Sequence, residues 1–339
     1  METARGKKTY GAVLLAGMAA LLWLGSPALG KGLFQERYLY NLSGLSGVLP
    51  TSWATLAMDE ERDETFVIYH NEVVIFNSQG MEVFRFGDGR DYGGVLCADA
   101  GKGGDLLLLS YREGRPVVLR CDYRGEPREE IFLRGLPEEL ADFAPNRLIY
   151  HNEQLYLGSQ GGMQIVICKP DGSYVKGFDL YEHLGLDRDE RDEMEFNGFR
   201  LDRDGNILFT IPFIFKAYIM APDGKFRAFG SPGGAPGRFN VVAGMVADSH
   251  GNYLIADKLK CAVLVFDRNL KFVKEFGYRG PGPENMTIPN DLAIDNQDRI
   301  YVSQGAGRGV SVFALTHGDS SAKGGAAGLS QQKGGKDSG

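Results

Sequence analysis

A Phe-Gly pair recurs 47 residues apart, at Phe229-Gly230 and Phe276-Gly277, and the stretch it brackets is built like a unit. Residues 229–277 open on a Gly/Pro loop and pass through four short apolar runs separated by turns. They close on the pair that would begin the next copy. A fixed period of this size constrains the fold more than any other feature of the chain, because one such unit cannot bury its own apolar face and must stack on its neighbours.

The period can be followed through a short motif, x-x-Φ-x-Φ-Asp. It occurs at Ala54–Asp59, Gly94–Asp99, Asn197–Asp202, Ala243–Asp248 and Asn290–Asp295. A further copy, Asn146–His151, keeps the apolar positions and ends in His. Successive copies are 40, 52, 51, 46 and 47 residues apart, as expected of one unit carrying loops of varied length. Each copy is followed by a polar turn and a second run, such as Asn252-Tyr253-Leu254-Ile255-Ala256. A third run follows, such as Ala262–Phe266, then a Pro-Asp-Gly type turn (Pro170–Gly172, Pro222–Gly224) and a fourth run. Short β-branched and aromatic runs between Gly and Asp turns are strands of a meander. Four strands per unit of this length make a propeller blade. The expected fold is therefore all-β, a six-bladed β-propeller over residues 31–317. The sixth unit lacks a fourth run, and Leu33–Tyr40 is expected to supply it, so that the N-terminal strand pairs with the last blade, closes the ring and removes an open sheet edge.

The two ends read differently. Arg5, Lys7 and Lys8 precede an uncharged apolar run, Gly11–Leu24, and Ala28 and Gly30 provide a small-residue cleavage site. Residues 1–30 therefore read as a secretory signal peptide, with an uncleaved N-terminal membrane anchor as the alternative, although 14 apolar residues are short of the ~20 that span a bilayer. Export to the periplasm or the cell exterior is expected, with no membrane insertion after cleavage. Residues 318–339, rich in Gly, Ser and Lys, read as a disordered tail. Loss of residues 1–30 removes three bases and one acid, taking the formal charge from −7 to −9. An acidic chain without a basic run argues against nucleic acid or anionic lipid as a partner. Cys97, Cys121, Cys168 and Cys261 are even in number, but Cys121 and Cys168 are one period apart and so too distant to bond; four buried free thiols are expected.

With the repeat laid out, a resemblance follows. Gly237-Arg238-Phe239-Asn240 and Val246–Asp257 resemble the NHL repeat, as do Gly280-Pro281-Gly282, Ile294-Asp295 and Arg299–Val302. Ser303-Gln304 departs from the usual Ala-Asp. The resemblance implies a rigid ring used as an interaction or scaffold module, with partners among exported redox or envelope proteins. It also implies an enzymatic alternative, a metal-dependent hydrolase or lactonase of the gluconolactonase-like kind. In that alternative Asn146, Asn197, Asn290 and Asp291, at the starts of first strands, would hold Ca²⁺ through oxygen ligands. Bonding of each Asn to a strand-end backbone group is the plainer reading of the same residues. The NHL-type amidating lyases imply a three-His Zn²⁺ site, which the spread of His70, His151, His183 and His250 over two sides of the ring does not favour.

No G-x-S-x-G, H-E-x-x-H or phosphate loop occurs, so no catalytic residue is assigned. The long connections are those between blades, and they are expected to form the binding face. One of them, residues 181–196, carries Asp187, Asp189, Glu190, Asp192 and Glu193, read as a Ca²⁺ site, as a docking loop for a basic partner, or as a solvated loop. Asp202–Asn206 begins like a Ca²⁺ loop but lacks its distal Glu, and an ordinary hairpin turn is expected there.

Overall fold

A computed structural model of the chain describes residues 34–45, 47–49, 53–87, 92–187 and 194–317. The expected signal segment and C-terminal tail lie outside these residues. The chain divides into two compact units, residues 36–316 and the two ends; of the second, Phe34, Gln35 and His317 are described. Among the described residues no helix is long and apolar enough to cross a membrane.

Six four-stranded antiparallel sheets follow one another along the chain. Their first strands are Thr55–Asp59, Gly94–Ala100, Arg147–His151, Asn197–Leu201, Val242–Ala247 and Pro289–Ile294, which we number as blades 1 to 6. In blades 1 to 5 the four strands are consecutive. In blade 6 the fourth position, beside Val310–His317, is taken by Phe34–Asn41. The chain's first strand thus completes its last blade, as the sequence expects. Within the larger unit this closure is held by a backbone bond from Leu42 N to Val310 O (2.9 Å) and by the Ser311 hydroxyl donating to Asn41 Oδ1 (2.7 Å). The Tyr38 and Phe313 rings meet edge-on at 5.7 Å, and Lys274 of blade 5 pairs with Glu36.

The middle strands are buried along most of their length, and Ile207–Ile211 and Ala262–Phe266 are buried throughout, so they read as continuous apolar runs rather than alternating ones. Their side chains fill the seams between adjacent blades. Between blades 3 and 4, Phe196, Phe199, Phe209, Tyr218 and Met220 form one cluster, with Phe209 and Tyr218 stacked at 5.0 Å. Comparable clusters join blades 1 and 2, 2 and 3, 4 and 5, and 6 and 1. All four cysteines are buried free thiols, as expected from their spacing. Burial pushes the Cys97 thiol up to about 12 and the Cys168 thiol up to about 11, which keeps both protonated at neutral pH.

The Asp of the repeat motif has a local job. Asp202 Oδ1 accepts from the backbone N–H groups of Asp204 and Asn206, and Asp248 does the same for His250 and Asn252. Asp295 repeats this with Gln297 and Arg299. These carboxylates close the hairpin between the first and second strands, so Asp202–Asn206 is the ordinary turn the sequence suggests. In blade 5 a second carboxylate ends the second strand. Asp257 is fully buried and accepts from the N–H groups of Asn240 (2.7 Å), Val241 (3.3 Å), Leu259 (3.1 Å) and Lys260 (3.0 Å). It therefore pins an interblade loop to a hairpin turn. In blade 6 Gln304 occupies this register, accepting from Thr287 N (2.8 Å) and donating to the Ser311 hydroxyl (2.6 Å), so the departure from the repeat pattern keeps the connection. Replacing Asp257 by Ala leaves four N–H groups without their acceptor and is expected to cost about 3 kcal/mol in chemical denaturation. Asp257→Asn, which retains one acceptor oxygen, is expected to recover part of that loss.

Candidate functional site

Four of the six first strands carry a register shift: at Val95/Cys97, Asn197/Arg200, Val242/Met245 and Pro289/Leu292. In blades 4 to 6 these bulges press the strand starts together. Gly198 has φ +64°, a conformation other residues adopt with strain, and a Cβ on it would lie 3.0 Å from Met245 N. A Cβ on Gly244 would lie 2.7 Å from Leu292 N. Only glycine admits so close an approach of the neighbouring backbones.

The bulge in blade 4 also sends Arg200 across the ring. Its guanidinium donates to Asp291 Oδ2 (2.7 Å), Leu292 O (3.0 Å), Leu56 O (2.8 Å) and Phe199 O (2.8 Å). Asp291 Oδ2 accepts in addition from Leu56 N at 2.9 Å. Blades 4, 6 and 1 are thereby tied at one point, through a pair whose side chains are 17% and 13% exposed. Beyond Arg200 lies a cavity of about 610 Å³, lined by the first strands of all six blades and by the turns that follow them. It opens among Asp59, Glu60, Glu61, Asp202 and Asn296, on the side of the short first turns. The sequence places binding on the side of the long interblade loops, so this cavity is not part of that expectation.

The residues singled out in the sequence are distributed as follows. Asp291 is bound to Arg200, which lines the cavity, but does not line it itself. Asn146 Oδ1 accepts from Gln160 N (3.1 Å) and its amide donates to Gln160 Oε1 (3.2 Å). The Asn197 amide donates to Glu195 Oε1 (3.3 Å), and Asn290 is half-buried. None of the four lines the cavity. At Asp291 a guanidinium already supplies the positive charge that Ca²⁺ would bring, and Asn146 is engaged at a strand end. This donor set does not fit a divalent cation, and no step is built on one. Of the acidic loop, Asp187 is exposed, and Asp189, Glu190, Asp192 and Glu193 lie outside the described residues. The loop's beginning is fixed by a helical turn, Leu180–Leu184, capped by Asp179 and anchored by the buried Leu180 and Tyr181. His183 meets Gly224 O at 2.6 Å, in the seam between blades 3 and 4.

Asp99 is a residue that the sequence does not single out. It shares the motif position of Asp59, Asp202, Asp248 and Asp295, yet it closes no first turn. The first strand of blade 2 runs on to Ala100, Asp99 pairs with Leu107, and the turn comes later, where Gly101 N bonds Asp105 O (2.7 Å). Its carboxylate is released towards the cavity and accepts from Tyr150 N of blade 3 at 2.7 Å. Asp99 is half-buried, with part of its surface on the channel. Burial pushes its pKa up to about 7, against the opposing pull of the Tyr150 and Ala100 N–H groups and of Arg200; Asp59 adds repulsion. The spacing holds a signal for this. Asp202 and Asp248 are followed three residues later by a turn Gly and then Asn, whereas Asp99 is followed by Ala-Gly-Lys-Gly-Gly.

A second grouping lies on the side of the interblade loops. Trp53, just before blade 1, is 61% exposed and carries the Lys258 ammonium 5.1 Å from its ring centroid. Lys258 N donates to Val241 O (2.8 Å), and the adjacent Leu259 is 69% exposed. Burial lowers the Lys258 pKa, with Glu195 acting against that shift and Arg147 adding to it. Blades 1, 3, 4 and 5 therefore bring an apolar group and a mixed set of charges into one neighbourhood.

With this geometry in place, comparison with known proteins bears on the fold. A family model (DUF5128) described as a 6-bladed beta-propeller matches residues 240–321. A protein of unknown function from Bacteroides thetaiotaomicron superposes with a TM-score of 0.57 at 13% identity, over 83% of this chain and 76% of its own. The fold is that of a six-bladed propeller. Virginiamycin B lyase from Staphylococcus aureus (TM-score 0.51, 13% identity, 84% and 99% covered) and a gluconolactonase from Xanthomonas campestris (TM-score 0.52, 14% identity, 86% and 93% covered) are also similar. At such identities the likeness is one of fold alone. A comparison with curated protein sequences gives no match.

Two outcomes test the propeller's channel. Arg200→Met leaves the Asp291 carboxylate without its partner and is expected to lower stability by about 2–3 kcal/mol, less than for a fully buried pair because water reaches both groups. Adding Asp291→Leu should restore most of it, as read by chemical denaturation. Asp99 gives a pH signature. Its folded-state pKa lies above that of an unfolded aspartate (about 4), so the folded state holds the proton more tightly. Its contribution to stability is largest below pH ~4 and falls as pH rises towards 7. Asp99→Asn should remove that fall, and the melting temperature of the variant should gain on the parent between pH 5 and pH 8.

Proposed function

We propose that this protein is an exported propeller of the NHL type that works as a binding module for another protein, docking it on the side of the interblade loops. The observation that carries this reading is the exposed grouping of Trp53, Leu259 and Val241, the last 37% exposed, around Lys258. Single exposed apolar residues are common on any surface, but here Trp53 lies against the Lys258 ammonium while Leu259 and Val241 adjoin the Lys258 backbone, a local centre of the kind that dominates protein interfaces. The tryptophan is the anchor. Its indole offers a large rigid apolar face at little entropic cost, while Lys258 and Glu195 supply charges for orientation. Export rests on the basic, apolar and small-residue order of residues 1–30. Asp187, exposed on the connection between blades 3 and 4, adds negative charge and favours a partner with a basic border. The ring suits this work because its seams are packed on both sides of every blade, so the loops are displayed on a scaffold that does not yield.

The reading is tested by affinity capture from the envelope fraction of the source cell, with the wild-type protein and with Trp53→Ser/Leu259→Glu as baits. A true partner should be retained by the first and lose at least thirtyfold in affinity for the second, corresponding to about 2 kcal/mol for a hot-spot residue. The melting temperatures of the two baits should agree. Equal retention by both baits would show that the docking face lies elsewhere.

A further inference from the structure

The cavity on the opposite side has the chemistry of a small-molecule site, and nothing in the docking proposal uses it. Its volume of about 610 Å³ falls in the range that encloses a drug-sized ligand. Half-buried Ala57, Ile149, Leu201, Ala247 and Ile294, one from each of blades 1, 3, 4, 5 and 6, make an apolar girdle. Blade 2 breaks the girdle with the carboxylate of Asp99. Of the neighbouring guanidinium groups, Arg200 is spent on Asp291 and three backbone carbonyls, and Arg147 Nη1 is held by Asn146 O. The mouth is acidic: Glu60 and Glu61 are exposed there, with Asp202 and Asp298 behind them; Asp59 and Asp295 are paired with Arg62 and Arg299, and Arg203 and His151 oppose.

We infer that the cavity binds a small organic monocation, an amine with an aliphatic or alicyclic body, its ammonium on Asp99 and its body against the girdle. Three features select this class. The mouth attracts positive charge, and low-dielectric walls focus that field into the channel. Inside, an ammonium supplies a counter-charge to Asp99, since Arg200 is turned to Asp291 and Arg147 to Asn146 O. The girdle then excludes strongly hydrated inorganic cations, which would exchange water for methyl groups, and accepts a hydrocarbon body. A carboxylate ligand meets the opposite situation at every level.

Calorimetric titration of the whole protein at pH 8 with hexylammonium, hexanol and hexanoate separates these possibilities. Saturable binding of one hexylammonium per chain, at least tenfold tighter than hexanol and with hexanoate weaker still, is the expected result. Asp99→Asn should abolish the difference between the ammonium and the alcohol. Ala247→Leu, which adds bulk to the girdle, should weaken both; it tests the location independently of charge, provided circular dichroism and melting match the parent. Absence of saturable hexylammonium binding, preference for hexanoate, or an ammonium preference that survives Asp99→Asn would each overturn the inference.

Discussion

Arg200 is the contact on which the channel depends. In a ring of sheets, the first strands present one row of backbone groups to their own blade and leave the other row facing the axis. Arg200 collects such groups from blades 1, 4 and 6 and neutralises the one carboxylate at that level. A guanidinium can do this because its planar fork offers several donors in fixed directions, which a lysine ammonium on a flexible stem does not. The same contact divides the axis in two. On one side lies the cavity among the first turns; on the other lie the interblade loops.

Much of this was legible. The period, the four runs per unit and the missing fourth strand are enough to number the blades and to place Phe34–Asn41 against the last of them, because strand alternation and ring closure leave few other arrangements. The role of the motif aspartates in turns was legible too, since Asp with a Gly three residues on caps its own backbone. The limits were equally physical. A six-residue motif makes Asp99 look like its counterparts. Only a bulge at Val95/Cys97 and a turn displaced to Gly101–Asp105 change which way its carboxylate is used.

The aligned asparagines illustrate the converse. Asn146, Asn197 and Asn290 share a register and suggest convergence, yet register in sequence fixes height along the axis, not the direction of a side chain. Gln160 engages Asn146, and Glu195 engages Asn197. Trp53 and Lys258 were illegible for a related reason. They stand some two hundred positions apart in the chain, each just outside a repeat motif, and meet because the ring brings blade 1 back to within reach of blade 5.

The closing strand carries a consequence for assembly. Phe34–Asn41 leaves the ribosome before any blade and finds its neighbour, Val310–His317, after every blade has been made. Until then the early strand is an unpaired ribbon and the late sheet has a bare flank. The last docking event therefore joins two segments far apart in the chain, with the loop-closure entropy that such a separation implies. A protein built this way is at its most adhesive just before it is finished, and its passage to maturity is governed by how long those two ribbons are kept from finding something else.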